Sequence, residues 1–345
     1  MRLPACLALS ATLLALPGLV HATSPQPTPS TNNMNTEITG GLGISSTIQE
    51  HTITERIVIK PAQTAAPAEP LPANTKRIIL MYGDVKRSFL VHAPPVLQQP
   101  FCPLLFSFHP EGLSAKVQET LTGFSDIADE KGFVVVYPEA LGTPARWNTG
   151  PNEAGQFDQK FIQDIIDNVL TLYAINMTSI FVSGMSNGAQ MAARLACTMP
   201  DRIAAAGLVA GNYPQWNDCL PRPVSAIIFH GTADQTTPYG GKALQRGPEG
   251  LAQFIALQNK CPNGPGEAYN KDDARAVGWG NCAAGTEVVN FTFEGKGHSW
   301  PGSAMPEEIT SKTIDASSVM WNFFSTHRQL PYSIPPNPVI LPDDE

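Results

Sequence analysis

The sequence predicts an α/β domain built on a doubly wound, mostly parallel sheet with helices on both faces. Three observations carry that expectation. Six short runs are mainly apolar, amphipathic helical stretches lie between several of them, and a serine flanked by glycines sits where one run passes into a helix. The chain has 345 residues and 42% hydrophobic content, enough for one large core, and α/β folds often exceed about 200 residues as one domain.

In chain order, residues 1–22 read as an export signal: Arg2 gives a positive start, residues 7–16 an apolar stretch, and Val20-His21-Ala22 a small-residue cleavage pattern. No later segment approaches the roughly 18 apolar residues that span a bilayer. The expected product is therefore secreted, extracellular or periplasmic, with no stable membrane insertion. Residues 23–75 form a low-complexity arm rich in Ser, Thr, Pro and Ala, in which only 53–59 alternates as a strand would. Residues 76–328 form the expected catalytic domain. It opens on a β-hairpin, with strands at 77–82 and 88–92 around a Gly83-Asp84 turn.

The apolar runs at 104–108, 133–137, 180–183, 206–210, 226–229 and 288–293 are the expected buried parallel strands. Phe161, Ile162, Ile165, Ile166, Val169 and Leu170 form a stripe on one helical face, as a helix covering a sheet requires. A second helix is expected over 189–198, ended by Pro200, and residues 329–345 form a Pro-rich tail. The net charge of −8, with no clustered basic surface, excludes nucleic acid as a partner class. Two N-x-S/T sequons, at Asn176 and Asn290, carry little weight, and Asn290 falls in an expected strand.

Of six cysteines, Cys6 leaves with the signal, so Cys102, Cys197, Cys219, Cys261 and Cys282 meet an oxidising compartment. Two disulfides and one spare thiol are the simplest count. Cys197 closes the helix after the serine motif and Cys219 precedes the next strand, while Cys261 and Cys282 bracket a Gly- and Asn-rich excursion. Pairing neighbours gives Cys197–Cys219 and Cys261–Cys282. No two of these cysteines have zinc-ligand spacing and no H-E-x-x-H occurs, so neither metal nor cofactor is expected.

The chemistry is carried by Gly184-Met185-Ser186-Asn187-Gly188 between strand and helix. A G-x-S-x-G sequence in that setting builds a sharp turn. Its glycines relieve crowding, the serine hydroxyl stands above the sheet, and the next backbone N–H faces a developing oxyanion. A serine hydroxyl needs a base to take its proton and an acid to orient that base. Both follow in order. Phe229-His230-Gly231-Thr232-Ala233-Asp234 delivers Asp234 to the carboxyl edge of the sheet, and Gly295-Lys296-Gly297-His298 puts His298 on a loop after the last strand. His109 and His230, each directly after a strand, are the rival bases; a histidine so placed more often stitches loops together.

Residues 77–324 resemble the secreted poly(3-hydroxybutyrate) depolymerase and feruloyl esterase group of α/β-hydrolases. The matching stretches are Thr122-Gly123-Phe124 through Gly132-Phe133-Val134 to Pro138-Glu139, Trp147-Asn148, GMSNGAQMA, HGTAD with Pro238-Tyr239-Gly240-Gly241, and GHSWPG. The resemblance implies extracellular ester hydrolysis without a metal and supports Ser186, Asp234 and His298 as nucleophile, acid and base. Trp147-Asn148-Thr149-Gly150 is closer to the feruloyl esterase branch. An aromatic wall from Trp147, Tyr239 or Trp300 suits a hydroxycinnamoyl ring by stacking.

The sequence departs from the group at the second oxyanion donor, where His109-Pro110-Glu111-Gly112 replaces a His-Gly-Cys-type turn. Proline has no N–H to give, so the expected hole pairs the amides of Asn187 and Glu111, with the Glu111 carboxylate turned outward. Gln159 and Lys160 are smaller departures without a reading. The expected substrate is a small or polymeric ester: a feruloyl ester of the plant cell wall first, then poly(3-hydroxybutyrate) or acetylated xylan. A peptidase with the same triad and a wall-binding protein that has kept the fold are the expectations from other classes.

Overall fold

The computed structural model describes residues 71–95 and 101–329. The expected export signal with His21, nearly all of the expected arm with His51, and all of the expected Pro-rich tail but Gln329 lie outside the described residues.

Two antiparallel strands, β1 (Thr75–Tyr82) and β2 (Val85–His92), open the domain around a turn in which Gly83 has φ +59°, the left-handed region that glycine enters without strain. Then follow β3 (Cys102–Phe108), α1 (Ala115–Thr122), α2 (Phe124–Lys131) and β4 (Val134–Pro138). Next come the short ribbon β5 (Leu141–Gly142) and β6 (Ala145–Arg146), α3 (Glu153–Leu172), β7 (Ile175–Met185), α4 (Asn187–Thr198) and β8 (Ala205–Val209). The chain continues through β9 (Tyr213–Pro214), β10 (Ser225–Gly231), β11 (Gln245–Arg246), α5 (Pro248–Gln258), β12 (Gly266–Lys271), β13 (Ala274–Trp279), β14 (Val288–Phe293) and α6 (Ala316–Thr326).

Ten strands make one sheet in the order β1-β2-β4-β3-β7-β8-β10-β14-β13-β12. From β4 to β14 every pairing is parallel, and the antiparallel pairs β1/β2/β4 and β14/β13/β12 flank that centre. The six apolar runs of the sequence are the six parallel strands. The Gly- and Asn-rich excursion between Cys261 and Cys282 is not a plain loop: it holds the hairpin β12–β13, which extends the sheet.

Helices cover both faces, giving two apolar layers. On one face lie α3, α4 and α5, with Phe161, Ile162, Ile165, Ile166 and Val169 of α3 buried as the stripe requires. Asn152 caps α3 by accepting from the Gly155 N–H at 3.0 Å. The other face holds α1, α2 and α6. There Gly207 of β8 lets α6 close in, since a Cβ on it would fall 2.2 Å from Met320 Sδ. Truncating the fully buried Phe324 to alanine is worth about 3–5 kcal/mol by loss of contact and cavity formation.

A buried ion pair ties β2 to α3. Arg87 Nη2 lies 2.9 Å from Asp158 Oδ1 with both side chains almost fully enclosed, and the guanidinium sits 3.9 Å over the Phe161 ring. Burial pushes the Arg87 pKa down, and Asp158 opposes that shift. Disulfides join Cys197 to Cys219 and Cys261 to Cys282, with sequence separations of 22 and 21. Closing loops of that length stabilises a fold by about 3 kcal/mol in the chain-entropy account. Cys102 is a buried free thiol whose pKa burial pushes up. Asn290 is buried inside β14, and no described helix is long and apolar enough to cross a membrane.

Candidate active site

Ser186 stands between β7 and α4 with φ +57° and ψ −120°, a backbone conformation that L-residues adopt at a cost of about 1–3 kcal/mol and only where the surroundings enforce it. Two glycines provide that enforcement. A Cβ on Gly184 would lie 2.4 Å from the Gly188 carbonyl, and one on Gly188 would lie 2.1 Å from Phe108 O and 2.7 Å from His109 O. Strand, helix and the end of β3 therefore meet without intervening side chains. The Ser186 N–H donates to Val209 O at 2.9 Å and its carbonyl accepts from Gln190 N at 3.1 Å, which fixes the turn on both sides.

Asp234 follows β10 and His298 follows β14, strands that are parallel neighbours, so both leave the same edge of the sheet as Ser186. Gly231 lets their loops interlock, because a Cβ there would be 2.1 Å from Lys296 O. Thr232 N donates to Phe293 O and Ala233 N to Lys296 O, both at 2.9 Å.

His298 Nδ1 lies 2.8 Å from Asp234 Oδ2. A proton on Nδ1 donated to that carboxylate leaves Nε2 as the basic nitrogen. Asp234 is buried and richly supplied: Oδ1 accepts from the N–H groups of Thr236 and Thr237 at 2.9 Å each, and Oδ2 from the Thr237 hydroxyl at 2.7 Å. Burial raises its pKa, but hydrogen bonds from His230, His298 and the Thr237 N–H outweigh burial and hold the carboxyl well below the usual carboxylate range. Ser186 Oγ has no hydrogen-bond partner among the described residues, so the structure joins acid to base and places the serine on the same edge without a bond to His298.

The rival histidines have other roles. His109 is fully buried with both ring nitrogens engaged: Nδ1 donates to Pro110 O at 2.7 Å, and Nε2 accepts from the Ala140 N–H at 3.0 Å. Burial pushes its pKa down, in keeping with a neutral ring that stitches two loops. His230 Nε2 donates to Thr237 O at 2.7 Å and lies 3.4 Å from Asp234 Oδ2, so it supports the acid. Sequence reasoning missed His230 and Thr237 as supports. The available signal was the spacing of H-G-T-A-D-x-x-T, which returns the chain to its own carboxylate.

Two main-chain N–H groups are the ones expected to hold an oxyanion. Asn187 begins α4, where the first N–H groups have no intrahelical acceptor and the helix dipole is positive. In the 109–112 turn, Pro110 has no N–H and Gly112 N donates to Ala145 O at 2.8 Å. Next along, Leu113 N donates to Pro110 O at 3.2 Å. The Glu111 N–H has no acceptor among the described residues. The Glu111 side chain turns away to Arg146 Nη1 at 2.7 Å on the surface.

The expected aromatic wall needs correction. Trp147 and Trp300 are each 1% exposed. The Trp147 indole donates to His109 O, and Trp300 donates to Ser317 Oγ while packing edge-on against Phe124. Each ring fills the core because its N–H finds an internal acceptor there. Tyr239 is half-buried, its hydroxyl within 2.9 Å of Glu249 and 2.7 Å of Thr292, and burial pushes its pKa up to about 12. An apolar cavity between α4 and α5, lined by Ala196, Leu208, Trp216 and Phe254, is separate from Ser186, Asp234 and His298. No cluster of metal-ligating side chains occurs among the described residues.

Residues 88–215 match the family described as esterase PHB depolymerase, a span that includes Ser186 but ends before Asp234 and His298. The chain is 28% identical over 228 residues to a bifunctional acetylxylan esterase/xylanase, XynS20E, of Neocallimastix patriciarum, covering 65% of this chain and 32% of that protein. It is 26% identical over 213 residues to feruloyl esterase B of Piromyces equi, covering 57% of this chain and 39% of that one. The chain thus spans only 32% and 39% of the length of these two relatives. An acetyl xylan esterase from Aspergillus awamori shares the fold, with TM-score 0.51 at 14% identity over 69% of this chain and 94% of that one. The sheet is that of an α/β-hydrolase, and with the G-x-S-x-G elbow and these relatives the chain is similar to esterases of the PHB depolymerase and feruloyl esterase kind.

Proposed function

We propose that the chain is a secreted serine esterase that works through an acyl-enzyme on esters of the plant cell wall, with a feruloyl-esterase-like preference. The observation that carries the reading is the 2.8 Å bond between Asp234 and His298 on the sheet edge that also bears the Ser186 elbow. His298 Nε2 takes the Ser186 proton as Oγ attacks the ester carbonyl, and the carbonyl electron pair moves onto oxygen. The Asn187 and Glu111 N–H groups hold that oxyanion. Collapse breaks the bond to the alcohol, which leaves with the proton from His298. Water, deprotonated by His298, then repeats the sequence on the acyl-serine and frees the acid. Asp234 keeps the imidazole in the required tautomer throughout. In the free enzyme such a serine–base bond is often long and tightens when substrate binds.

A second reading, acetylated xylan as substrate, gains from the burial of Trp147 and Trp300. That burial removes two of the three rings that favoured a hydroxycinnamoyl group, and the chain is similar to a relative named as an acetylxylan esterase/xylanase. The test is hydrolysis of methyl ferulate, acetylated xylan, a short nitrophenyl ester and amorphous poly(3-hydroxybutyrate) by the chain beside Ser186→Ala. Turnover of ferulate lost in the variant supports the first reading, and turnover of acetylated xylan with ferulate untouched supports the second. An unreactive, folded parent removes both.

A further inference from the structure

The two oxyanion donors come from different parts of the chain, and one buried residue bonds to both parts. The Trp147 N–H donates to Asn187 Oδ1 at 2.7 Å, and Asn187 Nδ2 donates back to Trp147 O at 3.1 Å. This two-way bond fixes the residue whose main-chain N–H opens α4. From the same residue the indole Nε1–H reaches His109 O at 3.1 Å, and the ring packs against Phe108 and His109 with centroids 5.2 and 5.4 Å away. His109 in turn donates to Pro110 O and accepts from Ala140 N, setting the turn that carries Glu111.

The segment is itself held at each step. Asp158 Oδ2 accepts from Asn148 N at 2.8 Å and from Asn148 Nδ2 at 2.9 Å, while its other oxygen pairs with Arg87. The Trp216 indole donates to Thr149 O at 3.0 Å. A side chain serving only to fill the core would not need its main chain clamped by the residue after the nucleophile.

We propose that Trp147 is a positioning residue for the oxyanion hole, holding the Asn187 and Glu111 N–H groups at a fixed separation. The proposal rests on the esterase reading and assigns Trp147 no contact with substrate. Trp147→Phe keeps the ring in the core and deletes the indole N–H, so the Glu111 turn loses its tie to α4. Loss of a whole donor lowers kcat by about 10²–10³-fold, so a loosened one is expected to lower it by roughly tenfold or more, with KM within about twofold. Affinity for phenylboronic acid, which forms a tetrahedral anion on the serine, is expected to weaken in step with kcat. The acid limb of the pH profile should stay in place, because Asp234 and His298 are untouched. Asn187→Ala retains the main-chain N–H while removing both bonds to Trp147, and is expected to repeat the pattern; it decides the matter if Trp147→Phe does not fold. A parent active through Ser186, with folded variants matching it in kcat and boronate affinity, overturns the proposal alone. A folded parent that hydrolyses no ester overturns the esterase reading and this proposal together.

Discussion

The two halves of the proposed site are built on opposite plans. The acid–base half is local: Asp234 takes hydrogen bonds from Thr236, Thr237 and His298, all from its own turn or the loop after the neighbouring strand. The oxyanion half is assembled at long range, by bonds from Trp147 to partners 38 and 40 residues away, and its Glu111 turn carries an exposed ion pair. Buried charge needs several donors close by, and a tight turn supplies them cheaply in entropy. An oxyanion exists only in the reaction, so its donors must be held ready before the charge appears.

The largest effect is expected in the local half. Asp234→Asn presents the wrong tautomer to His298 and should lower kcat by about 10⁴-fold in a folded protein. The same carboxylate links stability to pH. Its folded-state pKa lies below the ordinary 3.8, so its stabilisation is complete above that value and is lost as pH falls through the folded pKa. The gap in urea midpoint between parent and Asp234→Asn should therefore narrow below pH 3.8. A gap that widens in acid would contradict the assignment of a charged, hydrogen-bonded Asp234. Next in size is Gly188→Ala, whose Cβ would meet Phe108 O at 2.1 Å, a backbone atom with little freedom to move. Displacing α4 from the end of β3 should lower kcat by about 10²-fold, through Asn187, and destabilise by about 1–3 kcal/mol. Kinetics and urea denaturation on one preparation separate the two. Within the local half, Thr237→Val removes the hydroxyl bond to Asp234 but keeps the N–H bond, and should reduce kcat by about tenfold.

The same contrast explains what was legible in the sequence. All six parallel strands could be read because burial on both faces leaves mainly apolar runs, from 104–108 through 288–293, with only Ser, Asn or Thr interrupting them. The β12–β13 hairpin could not: β12 is exposed or half-exposed along its length, and β13 buries Ala274, Ala276 and Trp279 while exposing Val277, so its residue types do not show which face is buried. Ser186, Asp234 and His298 each lie within a few residues of a strand end, where a motif and its setting are read together. Trp147 sits in a motif too, but the motif does not say which way the ring points. Its inward direction is set by acceptors on His109 and Asn187, which only the folded chain brings near.

The smallest effect is expected at a residue that departs from the pattern of the esterases the sequence resembles. Glu111 replaces a small residue in the oxyanion turn, and a carboxylate facing the hole would oppose the charge that forms there. Its side chain instead meets Arg146 on the surface, where solvent screens the pair. Glu111→Gln leaves the main-chain N–H in place and removes only that exposed charge, so kcat should change by less than about threefold, and added salt should erase most of the difference. A variant hundreds of times faster than the parent would mean that the carboxylate turns inward during turnover. The oxyanion half would then be opposed by its own turn, whereas an unchanged rate means the turn contributes its backbone alone and tolerates any side chain that points to water.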